Sequence, residues 1–329
     1  MALALPSVKS YLGIAKETTK GTAVAATNFI PFTMNTFKPV DVIDPLYNQA
    51  LYGSMAETYA YLQGRKHTTI EVGGPVFADT IGYFIAGILG DVSTTGASAP
   101  YTHTIALKNA VATGGDAQPT AFTITDFYTA NTRYYPGCQV NSFSLTFNAD
   151  GMLEHTTQLM GFPSTTTTAP TPSFSTVLPT QVWTGTVTIG GSSVAYTRTA
   201  SLEITRRAEA IFGISNTQSP YQIFLGALAV KGKATFVMQD DTELTRYLTN
   251  TQPALTFNFS TGAGASATQV AYTLTKGAYS TAAIERNADY VEVTIDFDGI
   301  ANTTDVGSTN GYSPIKFTLQ NALVSGTYQ

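Results

Sequence analysis

The sequence predicts a mainly β chain of the α+β class, two tandem copies of one sheet unit, each with one flanking helix. Three observations carry this reading. The first is residues 140–159, which read VNSFSLTF, then Asn148-Ala149-Asp150-Gly151, then MLEHTTQL. An Asn-x-Asp-Gly reversal between alternating runs signals a hairpin, because Asp tolerates the tight bend and Gly supplies positive φ. Pairing Asn148 with Met152 sets Phe147 against Leu153, Leu145 against His155 and Phe143 against Thr157 on one face. Ser142, Ser144, Thr146, Glu154, Thr156 and Gln158 fall on the other face, since successive side chains alternate across a strand.

The second observation is that the pattern returns. Asn287-Ala288-Asp289 repeats the turn, and the run Tyr290 to Asp298 follows it. Val291, Val293, Ile295 and Phe297 make its apolar face, and Glu292, Thr294, Asp296 and Asp298 its polar, acidic one. The third is the order of elements, the same in both halves: strand, long loop, strand pair turning at a Gly beside basic residues, helix, strands, Asn-Ala-Asp hairpin. The two Asn-Ala-Asp turns lie closer together than Gly64 and Gly232 by about the length of the Gly/Ala/Thr-rich stretch 91–120. Read as internal duplication, this divides the chain into a first unit over 1–162, a linker over 163–181 and a second unit over 182–329. The first unit then has an N-terminal arm over 1–28 and an insertion over 91–120.

In chain order, residues 1–28 have few large apolar side chains after Ile14 and read as an arm or loop. Ile30 to Phe37 reads as a strand and 40–53, with Asp44-Pro45, as a long exposed loop. Thr58 to Val72 is a strand pair reversing near Gly64. Gly74-Pro75 opens a helix, with Pro at its first position. Phe77, Ile81, Phe84, Ile85 and Ile88 form its single apolar stripe, and Gly90 ends it. Phe122 to Tyr128 is a strand before the first hairpin. PSTTTTAPTPSFSTVLPTQ is extended and poor in core residues. A hairpin around Gly190-Gly191 follows, then the strand Ser201-Leu-Glu203-Ile-Thr205, whose polar face carries Glu203. Residues 207–220 read as a loop, and Tyr221 to Met238 as a strand pair turning near Gly232. Asp240-Asp241 caps a short helix with Leu244, Tyr247 and Leu248 on one stripe. The closing strands run 254–259, 270–275, 280–286, 290–298 and 315–319.

At 329 residues the chain can bury two cores. Only 12% of residues are charged, about half the usual share. That profile suits assembly-forming β proteins. The net charge of −5 argues against a grip on nucleic acid, which needs a basic patch. Cys138 is the only cysteine, so no internal disulfide forms and burial as a small hydrophobe is the expectation. The first residues, MALALPSVKS, do not have the form of a signal peptide, and no run approaches the ~20 apolar residues of a membrane span. Synthesis and folding in a cytoplasm are expected.

The same residues argue against catalysis. His67, His103 and His155 show no metal spacing, and His155 reads as a satisfied core or interface histidine. Asp240, Asp241 and Glu243 are explained by a helix cap. The glycine pairs fit no phosphate loop. Arg65-Lys66 and Arg206-Arg207 read as solvated pairs or as partners for acids on a neighbouring subunit. Trp183 and the tyrosines could stack on sugars, but core and interface roles explain them more simply. No catalytic, cofactor or metal site is expected.

Tyr11-Leu-Gly-Ile-Ala-Lys-Glu-Thr-Thr-Lys-Gly-Thr-Ala-Val24, followed by Asn28-Phe29-Ile30-Pro31, resembles the opening of bacteriophage tail tube proteins. The helix followed by the Asn-Ala-Asp hairpin is similar to the core of that family, and the resemblance spans most of both halves. Tyr290, where the first turn has Gly151, and the long Thr-rich linker depart from it. The resemblance implies β-sandwich or partial-barrel units whose strands join neighbours' strands into a β-barrel lining a tube. It implies a major tail tube protein of a long-tailed phage, stacked in rings as the conduit for genome ejection. It would be assembled in the host cytoplasm and carried in the virion tail.

Expected partners are further copies of the chain, the tape measure protein, the tail terminator, the tail tip or baseplate, and phage DNA in non-specific transit. No membrane insertion is expected. The resemblance implies tubes that usually have six units around the axis, and this chain has two, so a trimer imitating a hexamer is expected. The alternative is a hexamer in which only one half lines the lumen and the other decorates the outside. The lumen-facing set would be Ser142, Ser144, Thr146, Glu154, Thr156, Gln158, Glu203, Glu292, Thr294, Asp296 and Asp298. Their carboxylates would make an electronegative bore, unless they pair with Arg206, Arg207 or Lys233. The competing readings are a carbohydrate-binding or adhesin β module and another virion component of capsid or baseplate.

Overall fold

The computed structural model describes residues 4–110, 116–286 and 289–328. The chain begins with β1 (Tyr11–Lys16), β2 (Asn28–Ile30), β3 (Lys38–Asn48), β4 (Ala60–Pro75) and helix α1 (Ile81–Leu89). β5 (Gly90–Thr95), β6 (Tyr101–Leu107), β7 (Phe122–Phe127), β8 (Thr132–Asn148) and β9 (Glu154–Gly161) follow. A short β10 (Thr165–Thr167) lies in the Thr-rich connection. Beyond it come β11 (Gly185–Ile189), β12 (Ser192–Ser193), β13 (Thr197–Ile211), β14 (Gln222–Val237) and helix α2 (Thr242–Leu248). β15 (Leu255–Thr261), β16 (Thr268–Leu274), β17 (Gly277–Glu285), β18 (Glu292–Gly299) and β19 (Lys316–Asn321) close the fold.

The mainly β architecture expected from the sequence is present as two open antiparallel sheets, one of twelve strands and one of seven. Within the larger sheet, eight strands lie side by side in the order β3-β4-β9-β8-β13-β14-β18-β17. The last four repeat the first four: a long hairpin, then the second strand and the first strand of a shorter one.

The irregularities repeat too. The β3·β4 register shifts between Ile43 and Pro45, with Gly64 and Arg65 opposite. The β13·β14 register shifts between Arg206 and Ala208, with Gly226 and Ala227 opposite. β8·β9 carries one extra residue at Asn141, and β17·β18 one at Ser280. Bulges are positional features of a sheet, so they fix a residue-by-residue match. Glu154 matches Glu292, His155 matches Val293 and Gly64 matches Gly226.

The seven-stranded sheet runs β12-β11-β15-β16-β19-β6-β5, with β19 joining the hairpins β15–β16 and β5–β6. Every residue of α1 is buried, where the helix packs on β8 below and on β5 and β6 above. Phe147 meets Phe257 edge-on at 5.4 Å and Phe143 meets Phe317 at 6.3 Å. One continuous apolar cluster therefore draws on strands from both sides of the Thr-rich connection.

Several expectations need correction. Residues 11–16 are not part of an arm: Tyr11–Ala15 are buried in β1, which pairs with β7 and β2. The Lys16-to-Gly21 motif after it is a turn, in which Glu17 accepts bonds from Gly21 N (2.7 Å) and Thr123 Oγ1 (2.6 Å). Of the strand expected over 30–37 only Ile30 lies in a ladder, at the end of β2. Residues 90–107 are no insertion but the hairpin β5–β6, the counterpart of β15–β16. The extra chain of the first half is 108–137 instead, which includes β7 and the start of β8. α1 begins at Ile81, not Pro75, because Pro75 still pairs with Glu154 at the end of β4. Buried on all sides, α1 presents no single stripe.

Residues 40–48 and 207–211 are strand rather than loop, and Gly64 and Gly232 sit in mid-strand rather than at reversals. Their lack of a side chain has another cause. A Cβ on Gly64 would lie 2.9 Å from the Asp44 carbonyl, and one on Gly232 would lie 2.2 Å from the Phe297 ring. The Gly190-Gly191 turn stands as expected, both residues at positive φ. Of the second Asn-Ala-Asp turn, Asn287 and Ala288 lie outside the described residues.

Candidate functional site

The polar faces picked out in the sequence fall on β8, β9, β13 and β18, and register lays them on one surface of the eight-strand row. Ser142 stands opposite Gln158, Ser144 opposite Thr156 and Glu203, and Thr146 opposite Glu154 and Ser201. The intervening β14 sets Lys231 between Glu203 and Asp298, and Lys233 between Ser201 and Asp296. Residues of the opposite parity point inward: Phe143, Leu145, Leu202, Ile204, Ile295 and Phe297 are all buried. This is the two-faced sheet in which one side packs and the other stays polar.

Thr146, Glu154, Thr156, Gln158 and Glu203 are exposed, and Ser142, Ser144, Glu292, Asp296 and Asp298 are half-buried. Thr294 differs, being only 5% exposed. Its hydroxyl lies 3.0 Å from Thr235 Oγ1, a cross-strand Thr–Thr bond of the kind that stabilises sheets. Of the expected set, Thr294 is thus the one the monomer does not present to solvent.

Acidic groups prevail on this surface. Glu71, opposite Gln158, and Glu285, opposite Glu292, extend the set, and the cations are Lys38, Lys231, Lys233 and Arg198. Lys38 pairs with Glu71 at 3.1 Å and Arg198 with Glu292 at 2.7 Å. Asp296 accepts from Thr281 Oγ1 at 2.6 Å. Among the described residues, Glu154, Glu203, Glu285 and Asp298 are in no ion pair.

Arg206 does not neutralise this face, contrary to the alternative raised by the sequence. It is buried on the core side, donating to Gly226 O (2.9 Å) and Ile88 O (3.1 Å). Burial pulls its pKa down to about 10. The sequence reading names Lys233 only as a partner for the acids and does not include Lys231, Glu71 or Glu285, although the alternation in Val230-Lys-Gly-Lys-Ala234 and Ile70-Glu-Val72 is a usable signal.

Of the titratable side chains singled out by the sequence, His103, His155, Cys138, Asp240 and Glu243 are held in local structural contacts. Among the described residues no group of three His, Cys, Asp or Glu could hold a metal ion. His155 is buried between Phe84 and Phe143, with Nδ1 3.1 Å from Thr157 Oγ1, and burial lowers its pKa to about 4. His103 is buried between Thr94 (2.9 Å) and Asn321 (3.1 Å). Cys138 is buried, and burial pushes its thiol up. Asp240 accepts from Thr242 N at 2.9 Å at the start of α2, while Glu243 takes Tyr279 Oη and Arg246 Nη1 at 2.5 Å each.

The surface is a broad polar wall with two strand edges that are unpaired among the described residues, where β3 pairs only with β4 and β17 only with β18. At one end of the wall the hairpins β3–β4 and β13–β14 run on beyond β9 and β8. They touch there through Lys66 N to Gln218 O (2.9 Å) and Gln218 Nε2 to Gln63 O (2.7 Å). Their tips expose Leu51, Met55 and Ile214. A family model described as phage tail tube protein matches residues 7–299. No curated protein matches the chain.

Proposed function

The chain belongs to the phage tail tube protein family, and from that premise we propose that it is the major tube protein, polymerising into stacked rings through which the genome passes. The observation that supports this most is the tandem repeat of four strands, already joined edge to edge inside one chain. A ring of three chains sets twenty-four strands around the axis, eight from each. At ~4.8 Å per strand with a tilt of ~40°, such a barrel is about 45–50 Å across at the backbone. That leaves room for a double helix inside the side chains. The two units are those on either side of the Thr-rich connection 163–181, as the duplication suggests.

The polar wall faces the bore. Glu71, Glu154, Glu203, Glu285, Asp296 and Asp298 outweigh Lys38, Lys231 and Lys233, so phosphates are repelled and the DNA slides without a salt-sensitive grip. Thr294 joins the wall as backbone support, its hydroxyl being used by Thr235. The apolar hairpin tips at 49–59 and 212–221 contact the next ring. Tape measure, terminator and tip proteins are the other partners, and assembly takes place in the host cytoplasm. Electron microscopy of concentrated protein, with and without the tape measure protein, tests this: rings or tubes of threefold symmetry are expected. Protein that stays monomeric under both conditions overturns the reading. Six chains per ring by native mass spectrometry overturns the trimer.

A further inference from the structure

We infer that the free edges of β17 and β3 are the contact between neighbouring chains, and that they pair in a register set by the junction inside the chain. This rests on the ring reading above but goes beyond it, because the internal junction serves as a template. β8 pairs with β13 from Ser142↔Thr205 to Asn148↔Thr199. The matched bulges place β17 where β8 stands, with Thr281 for Ser142 and Glu285 for Thr146. They place β3 where β13 stands, with Lys38 for Ser201 and Ile43 for Arg206. Carried over, β17 of one chain meets β3 of the next as Thr281↔Val42, Ala282↔Asp41, Ala283↔Val40, Ile284↔Pro39 and Glu285↔Lys38.

Charge gives an independent check on that register. Inside its own chain Glu285 faces Glu292 directly across the ladder, and like charges so placed are destabilising. Glu292 has Arg198, while Glu285 is in no ion pair. The transferred register puts a cation, Lys38 of the next chain, opposite Glu285. Lys38 lies on the same polar face, 3.1 Å from Glu71, so the junction forms the sequence Glu292–Glu285–Lys38–Glu71 across four strands. A shift of one residue would put Pro39 or Phe37 there and turn every side chain to the wrong face.

The rest of the ladder is compatible. Ala282 and Ala283 leave room for Asp41 and Val40, and Pro39, lacking an N–H, removes at most one rung. Pro39 and Pro45 also guard this edge in the free chain, as prolines on edge strands do.

Engineered cysteines test the register, since the native Cys138 is buried and does not interfere. In assembled tubes of the Ala283→Cys/Val40→Cys double variant, oxidation is expected to join chains, giving dimers and trimers on a denaturing gel and nothing larger. The one-step-shifted pair Ala283→Cys/Asp41→Cys is expected to remain monomeric. Tubes in which the shifted pair joins, or in which neither does, overturn the register while leaving the tube reading intact. Absence of tubes in the unmodified protein overturns both. A ladder running to six chains with the first pair supports the junction and overturns the trimer. As a second measurement, Lys38→Glu is expected to abolish assembly and Lys38→Glu/Glu285→Lys to regain it. Failure of the double variant to improve on the single one counts against the Glu285–Lys38 contact.

Discussion

In the first four-strand row α1 is buried along its whole length, whereas in the second the matching helix α2 buries only Glu243. Both helices pack on the equivalent strand, α1 on β8 and α2 on β17. What differs is the rest of the surroundings: α1 is also covered by β5 and β6, whereas α2 packs chiefly on β17 and β18. α1 also reaches β13, the first strand of the next row, and its Ile88 carbonyl is held by Arg206 there. α2 has no next row within the chain. The comparison teaches that α2 has neither the covering hairpin nor the following row that together enclose α1. Composition follows this: IGYFIAGIL suits enclosure on all sides, and TELTRYL suits a helix with one wet face.

The largest expected effect probes that difference directly. Phe84→Ala removes a ring with no exposed surface and should cost about 3–5 kcal/mol in urea unfolding. Leu248→Ala, at a residue 72% exposed on α2, should change monomer stability by less than about 0.5 kcal/mol. Equal losses at the two sites would break the comparison.

The second effect comes from matched strand positions with different chemistry. His155 in β9 occupies the place of Val293 in β18. Its folded pKa of about 4 lies below the ordinary ~6.5. Below pH 6.5 the unfolded chain takes up a proton that the folded chain refuses. Stability is therefore fully present above about pH 6.5 and falls until the folded state also protonates near pH 4, by about 3 kcal/mol in all. Asp126, raised by burial to about 6, works in the opposite sense over about pH 4–6. The measurement is accordingly the stability of wild type minus that of His155→Val, which should fall by about 3 kcal/mol between pH 7 and pH 4. A difference independent of pH would show that His155 is not held neutral.

Much of this was legible in the sequence, and the exceptions have physical causes. The β8–β9 hairpin came out in its true register, because Asn148 to Gly151 is a turn of strong local chemistry flanked by clean alternation. Tyr11–Ala15 was missed because a strand buried on both faces has no alternation to read, and five residues are too few to separate it from loop. Gly64 and Gly232 read as reversals in the sequence because a glycine beside basic residues looks like a turn. Their actual causes, the Asp44 carbonyl and the Phe297 ring, are contacts from other strands. The repeat of elements is partly legible in their order, but the residue match between the two four-strand rows rests on the bulges, which leave no local signature. Lys231 is absent from the sequence-derived polar face for a related reason: a reversal placed at Gly232 divides its strand.

The smallest effect concerns the glycines at the two matched bulges. Gly64 and Gly226 occupy the same place in the two long hairpins, opposite the extra residue of the bulge, and neither has positive φ. A Cβ on Gly64 would meet the Asp44 carbonyl at 2.9 Å and Leu46 Cγ at 3.2 Å, so backbone must shift. A Cβ on Gly226 would find its closest neighbour, the Arg207 carbonyl, at 3.4 Å, an ordinary contact. Alanine at either site lowers the entropy of the unfolded chain, a stabilising term of about 0.4–1 kcal/mol where the native backbone accepts it. At Gly226 that term meets no opposition, and Gly226→Ala should be neutral or stabilising by up to about 1 kcal/mol. At Gly64 the clash with a strand carbonyl outweighs it, and Gly64→Ala should be destabilising by about 1–2 kcal/mol. Chemical denaturation of the two variants side by side decides. Gly226→Ala proving the more costly would break the comparison, because the Cβ contacts at the two bulges would then not decide the outcome.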